Sequence, residues 1–214
     1  MARIDVVCFD LGGVLVRICR DWAEACTLAR LPFEADAPSE PWLDERRRLV
    51  DGYQRGELPC HDYFQALADV TAGRYSARDI EAIHHVWLVE EYAGVGPLLD
   101  RIRAAGRRTA CLSNTNVSHW RRMCSTAADA EFPSLAKLDV KLASHELGSL
   151  KPDPEIYARA GEVFAVPPEH ILFFDDLPAN VAGARAAGWV AHVVDPRRAT
   201  APQVEHWLGH YGVV

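Results

Sequence analysis

The residues able to do chemistry in this sequence stand where short apolar runs stop. Asp10 follows Val6-Val7-Cys8-Phe9 and precedes Leu11-Gly12-Gly13. Ala110-Cys111-Leu112 ends in Ser113-Asn114-Thr115-Asn116, and Ile171-Leu172-Phe173-Phe174 ends in Asp175-Asp176. The segment after Val140 carries Ser149-Leu150-Lys151-Pro152-Asp153-Pro154. Carboxylates suit a hard cation such as Mg²⁺, and a hydroxyl and an ammonium suit phosphoryl oxygens. Each residue also has a plain structural reading: a strand-ending Asp10, a helix cap at Ser113, a surface lysine, a solvated acidic turn. Their joint occurrence at strand ends is what points to a site.

The runs themselves read as strands of a parallel sheet, buried on both faces. A polar group at the carboxyl end of such a strand lies at the edge where open α/β sheets bind ligands. Glycines at 12 and 13 permit backbone angles and close approaches that a Cβ forbids. From residue 93 onward strand and helix alternate: a helix to Ala105, a strand over Thr109–Leu112, a helix over Val117–Cys124 and a strand over Val140–Ala143. A helix over Pro154–Phe164, a strand over Ile171–Phe174, a helix over Pro178–Ala187 and a strand over Val190–Val194 follow. Such alternation implies right-handed parallel crossovers.

Residues 17–92 have a different texture, helical with scarce strand signals. Asp21 is placed to cap a helix through Trp22 and Ala29. Pro41 opens a second helix carrying Trp42, Leu43, Leu49 and Val50. Tyr63, Phe64, Leu67 and Val70 mark a third, and Ser76 caps a fourth through Ile80, Ile83 and Trp87. Their aromatics read as core packing, and His84-His85 reads as a surface or packed pair rather than a metal site. Gly94-Val95-Gly96-Pro97 reads as a linker. The expected fold class is therefore α/β: a Rossmann-like parallel sheet sandwiched by helices, with an inserted α-helical cap. The core is residues 1–16 and 93–214, and the cap is residues 17–92.

In order along the chain, Asp10, Ser113, Lys151 and Asp175-Asp176 resemble the four motifs of the haloacid dehalogenase superfamily, in its branch with a helical cap after the first strand. The resemblance covers the whole chain. It implies a phosphatase in which Asp10 attacks phosphorus and forms an aspartyl-phosphate. It assigns Mg²⁺ to Asp10, the Gly12 carbonyl and Asp176, with Asp175 behind them, and the phosphate to Ser113 and Lys151. Asn114 beside the phosphate and Asn180 behind the metal are auxiliary contacts that read equally well as turn and helix-start residues. Family phosphatases usually carry a second aspartate two residues after the nucleophile, as general acid and base; here that position is Gly12. A positioned acid contributes typically 10²–10⁴-fold, so Gly12 favours substrates with good leaving groups. The Leu147-Gly148-Ser149-Leu150-Lys151-Pro152 and Phe173-Phe174-Asp175-Asp176 stretches also resemble a bacterial subgroup with glycine at this position that includes α-glucose-1-phosphate phosphatases. Asp21, His61 and Asp62 are the cap residues that could supply a proton instead. Two other readings stand beside this one. A 2-haloacid dehalogenase is disfavoured because that branch lacks the acidic pair. A non-catalytic member binding a phospho-ligand or a protein has only Gly12 in its favour.

Composition narrows the partners. A net charge of -7 across 214 residues disfavours non-specific binding to nucleic acid or anionic membranes. A small phosphorylated metabolite remains compatible, since one pocket can be positive on an acidic protein. Cys8, Cys19, Cys26, Cys60, Cys111 and Cys124 show no CxxC pair or zinc spacing and read as reduced thiols. With no signal peptide and no spanning run, a cytoplasmic protein is expected. Trp207 and Tyr211 read as packing on the core, and no oligomeric state follows from the sequence.

Overall fold

The computed structural model describes residues 3–33 and 40–214. After β1 (Val6–Phe9) and β2 (Val16–Ile18) come α1 (Trp22–Ala29), α2 (Glu40–Gln54), α3 (Cys60–Val70) and α4 (Ala77–His85). Then follow β3 (Leu88–Glu91), α5 (Val95–Ala104), β4 (Arg108–Ser113), α6 (Val117–Met123), β5 (Val140–Ala143) and α7 (Ser144–Leu147). The chain closes with α8 (Pro154–Phe164), β6 (Ile171–Asp175), α9 (Pro178–Ala186), β7 (Val190–Val193) and α10 (Thr200–His210).

β1 takes the middle of a parallel sheet ordered β5-β4-β1-β6-β7 because all of its side chains are apolar and buried, whereas β5 and β7 at the edges are only partly so. The two-residue period of the strand divides its side chains between two cores. Val7 and Phe9 join Leu98, Leu99 and Ile102 of α5 and Leu208 of α10. Val6 and Cys8 join Ile156, Tyr157 and Phe164 of α8 and Val181 of α9. The order of strands reverses on either side of β1, so Phe9 is paired with both Cys111 of β4 and Phe174 of β6. The ends of these three strands therefore open into one crevice.

The helices α1 to α4 build a third core from Cys26, Leu49, Tyr53, Tyr63, Phe64 and Ile80. Asp21 caps α1, accepting Glu24 N at 2.8 Å, and Ser76 with Asp79 forms a capping box on α4. Pro41 falls in the first turn of α2, and the side chain of Trp42 lies outside the described residues.

Two local differences from the sequence reading have simple causes. The antiparallel pair β2–β3 stands at the two ends of the 17–92 stretch, and such short strands carry no readable period. Gly94-Val95-Gly96-Pro97 is no linker: Gly94, at φ 89°, is the N-cap of α5, and Pro97 sits in the first turn, where its missing N–H costs nothing. The C-terminal α10 packs Trp207 on the core, its ring 3.6 Å from that of His192, while Tyr211 Oη lies 3.0 Å from His192 Nε2. The six cysteines are free thiols, and no described helix is long and apolar enough to cross a membrane.

Candidate active site

Asp10 continues the ladder of β1 by one bond, its N–H donating to Phe174 O at 2.8 Å, and then turns its carboxylate into the crevice. Asp175 ends β6 beside it, and Ser113 ends β4 on the other side. Lys151 arrives from the loop after α7 and is held there by Asn114. The Asn114 Nδ2 donates to Lys151 O, and Lys151 N donates to Asn114 Oδ1, both at 2.8 Å. With both polar ends engaged on one backbone, Asn114 fixes the lysine relative to the Ser113 loop.

The Lys151 ammonium is fully buried and lies 2.6 Å from Asp175 Oδ2 and 3.1 Å from Asp10 Oδ1. Asp175, equally buried, also accepts Leu177 N at 2.9 Å and Asn180 Nδ2 at 3.0 and 3.1 Å. Asn180 is fixed in turn through its carbonyl, which accepts the Tyr157 hydroxyl at 2.7 Å. Asp175 is thus saturated by protein donors. Asp10 is not: Leu11 N, at 2.7 Å, and Lys151 both contact Oδ1, and among the described residues none donates to Oδ2. A carboxylate oxygen with no donor on it, beside a fixed ammonium, can act as a nucleophile.

Asp176 completes the group. Carboxylate oxygens of Asp10, Asp175 and Asp176 lie within 4.8 Å of one another. Burial and the neighbouring carboxylates raise Asp176 to about 7. Burial also raises Asp10, to about 6, although Lys151 pulls the other way. Burial opposes the charge on Lys151 too, but Asp10 and Asp175 outweigh it and hold the ammonium protonated. Three carboxylates around one ammonium leave an excess of negative charge that a hard divalent cation fits. The turn makes room for this crowding at Gly13. Its φ is 77°, and a Cβ there would stand 2.6 Å from Asp176 Cγ. Gly12 is different: a Cβ there would meet only Ile18, at 3.5 Å, an ordinary contact.

Above the crevice is a cavity of about 180 Å³ between the sheet edge and the helices α1 to α4. Gly12, Ser113, Asn114 and Thr115 line it below, and Trp22, Arg46, Tyr53, Tyr63, His84 and Trp87 line it above. The upper wall is docked by polar contacts with the loops after β4 and β5. Ser144 Oγ donates to Gln54 O at 2.7 Å, Arg55 pairs with Asp153 at 2.9 Å, and His119 Nε2 donates to His84 O at 2.8 Å. Asp21, His61 and Asp62 are exposed and do not line the cavity.

The structure thus brings together Asp10, Gly12, Ser113, Asn114, Lys151, Asp175, Asp176 and Asn180, as the strand-end pattern requires. The sequence does not reveal the upper wall. Tyr53, Tyr63 and Ile80 belong both to the helical core and to the cavity lining, so reading the aromatics as packing alone misses half of what they do. His84 is packed, as expected, but against the cavity.

Comparison with known proteins accords with this geometry. A Mycobacterium tuberculosis phosphatase is 28% identical over 99% of this chain and 96% of its own length. A haloacetate dehalogenase of a Moraxella species is 26% identical over 88% of this chain and 84% of its own. A haloacid dehalogenase family enzyme of Bacteroides thetaiotaomicron, crystallised with magnesium and inorganic phosphate, superposes with a TM-score of 0.73 at 21% identity, covering 91% of this chain and 96% of that one. The family model for haloacid dehalogenase-like hydrolases matches residues 4–188, and this chain belongs to that family.

Proposed function

We propose that this hydrolase is a Mg²⁺-dependent phosphatase of small phosphorylated metabolites, working through an aspartyl-phosphate on Asp10. The observation that supports it best is the Asp10–Asp175–Asp176 cluster around a buried Lys151 at the crevice between three strand ends. We take residues 1–16 and 93–214 as the catalytic core and 17–92 as its cap.

In this reading Asp10 Oδ2 attacks phosphorus while the ester oxygen departs with its electron pair, and water then cleaves the acyl phosphate to release inorganic phosphate. Lys151 holds Asp10 ionised and offers its charge to the phosphoryl oxygens. Ser113 donates its hydroxyl to another of those oxygens. Asp175, saturated by Lys151, Leu177 N and Asn180, positions the lysine. Mg²⁺, held by Asp10, Asp176 and the Gly12 carbonyl, would neutralise charge on the transferring phosphoryl group. No acid side chain is present at Gly12 to protonate the leaving group, which favours esters whose oxygen leaves readily.

The Bacteroides thetaiotaomicron neighbour holding magnesium and phosphate supports the cofactor assignment. The dehalogenase relative makes halide release the alternative outcome, but such chemistry needs no metal, and the Asp175-Asp176 pair then has no cation to serve. The test is phosphate release from acetyl phosphate, p-nitrophenyl phosphate, glucose 1-phosphate and glucose 6-phosphate, with and without Mg²⁺, alongside chloride release from 2-chloropropionate. Metal-dependent phosphate release that falls sharply in Asp176→Asn is the expected result. Full Mg²⁺-dependent turnover in Asp176→Asn, or chloride release without metal, would overturn the assignment.

A further inference from the structure

The cavity wall opposite the carboxylates contains a polar atom with no protein partner. His84 stacks on His119, with ring centroids 3.8 Å apart, and its ring is hemmed in by Phe64 at 5.2 Å, Tyr53 at 5.7 Å and Tyr63 at 5.9 Å. Its Nε2 is buried and makes no hydrogen bond. A buried polar nitrogen left unmatched costs free energy comparable to a lost hydrogen bond, so its retention on a cavity wall calls for a partner from outside the chain. Burial drives the His84 pKa well below the ordinary imidazole value, so the ring meets that partner uncharged.

Several other polar groups around the cavity are already bonded within the protein. Asn114 is engaged on the Lys151 backbone. Asn116 Oδ1 accepts His119 N at 3.0 Å, and His119 Nε2 donates to His84 O at 2.8 Å. The Tyr53 hydroxyl lies 3.0 Å from Cys60 Sγ. What faces the interior is mainly ring surface: Trp22 and Trp87, with the Arg46 guanidinium 5.0 and 5.8 Å from their centroids, and the stacked Tyr53–Tyr63 pair. A cavity of about 180 Å³ has room for little more than one six-membered ring, since ~150 Å³ accommodates benzene.

We propose that this cavity selects a phosphate monoester with a flat, largely apolar body bearing one hydroxyl-type group, and that His84 Nε2 is the atom that recognises that group. The proposal deepens the phosphatase reading and rests on it. A sugar body fits less well: its hydroxyls give up water and face a wall that is mainly aromatic ring. An aryl ester fits on a second, independent ground. Gly12 supplies no proton, and a phenoxide departs without one more easily than an alkoxide does.

The test uses the full chain with Mg²⁺ and compares kcat/KM for acetyl phosphate, glucose 1-phosphate, glycerol phosphate and phenyl phosphates. The phenyl phosphates are supplied as hydroxyl and methyl pairs, substituted at each ring position in turn. The proposal expects phenyl phosphates to exceed both the glucose and glycerol esters, and the hydroxyl to exceed the methyl at one ring position by about tenfold. His84→Gln, which keeps a donor near the Nε2 position, retains that hydroxyl-to-methyl ratio. His84→Asn and His84→Phe bring it close to unity. A preference for the glucose or glycerol ester, or a hydroxyl preference that survives in His84→Phe, would overturn the proposal. Acetyl phosphate, with almost no body to read, separates the two claims. Its metal-dependent turnover alongside a sugar preference would sink the substrate class alone, whereas its inertness with every other ester would sink the phosphatase reading as well.

Discussion

The two sides of the site, the carboxylate crevice and the cavity above it, answer burial in opposite ways. On the core side, Asp10 and Asp176 sit close to Asp175 and Lys151, and burial lifts both acids, to about 6 and about 7. Where core meets cap, burial lowers His119 of α6 to about 4 and pushes His84 of α4 well below the ordinary imidazole value, so both rings are neutral and stack. The core wall concentrates charge that needs a cation, while the cap wall offers mainly ring surface, with the Arg46 guanidinium over two of the rings and one buried imidazole nitrogen that makes no hydrogen bond. A reaction in which phosphate is bound on one side and the rest of the substrate on the other needs this division: electrostatics where charge is transferred, shape where it is not.

The comparison is broken most severely by changing the core wall. Asp10→Asn removes the attacking oxygen's charge, and turnover falls by about 10⁴-fold or more in steady-state assays. Lys151→Met leaves Asp10 and Asp175 facing each other without their ammonium. Because Lys151 and Asp175 are fully buried, the loss of stability is about 3–5 kcal/mol by denaturant unfolding. Asp175→Asn placed on top of it recovers part of that loss, because two carboxylates no longer repel each other. A Lys151→Met protein as stable as wild type would show that the ammonium does not organise this wall.

A gain is expected at the junction of the walls. Gly12 has ordinary space around a built Cβ, so Gly12→Asp can place a carboxyl in the cavity without moving the backbone. Release from alkyl phosphates, whose leaving oxygens need a proton, should rise by about tenfold or more relative to aryl phosphates. The same substitution at Gly13 collides with Asp176 and destroys the site. Equal alkyl-to-aryl ratios in wild type and Gly12→Asp would remove the argument from the missing acid.

The smallest effects are in pH. Asp10 and Asp176 have folded pKa values above the unfolded value of 3.8, so their contribution to stability is fully present below that pH and is lost as pH rises through about 6 to 7. Mg²⁺ replaces those protons, and its increase in Tm should be larger near pH 8 than near pH 5. His119 behaves in the reverse sense. Its folded pKa lies below the unfolded 6.5, so its contribution is present above that pH and is lost as pH falls through about 4. Amides of α6 and of the cap helix α4, joined by the His119 Nε2 bond to His84 O, should lose protection from hydrogen exchange over that acidic range before the sheet does. A Mg²⁺ shift independent of pH, or a cap that loosens no earlier than the sheet, would erase the contrast.

The core wall was legible in the sequence, and the cap wall was not. Asp10, Ser113 and Asp175 each end an apolar run, and a strand buried on both faces has one place where a polar side chain is tolerated: the sheet edge. Asp176 follows Asp175 directly, and Lys151 follows from order along the chain. The cap gives no such signal, because one helical stripe serves two purposes. Tyr53, Tyr63 and Ile80 satisfy a helical period by packing on each other and line the cavity from the same face. His84-His85 looks like a packed or surface pair, and nothing local shows that one Nε2 is buried without a partner. The contrast between Gly12 and Gly13 was equally hidden, since adjacent glycines look alike until the turn shows which one Asp176 approaches.

The most direct test of the account is to find where the phosphoryl group goes. The enzyme with Mg²⁺ is mixed with ³²P-acetyl phosphate, quenched in acid within one turnover, digested, and the labelled peptide identified by mass spectrometry. The account predicts metal-dependent label on Asp10, absent in Asp10→Asn and lost on further incubation as phosphate appears. Phosphate release with no label on the Asp10 peptide, or with label on another residue, would contradict it.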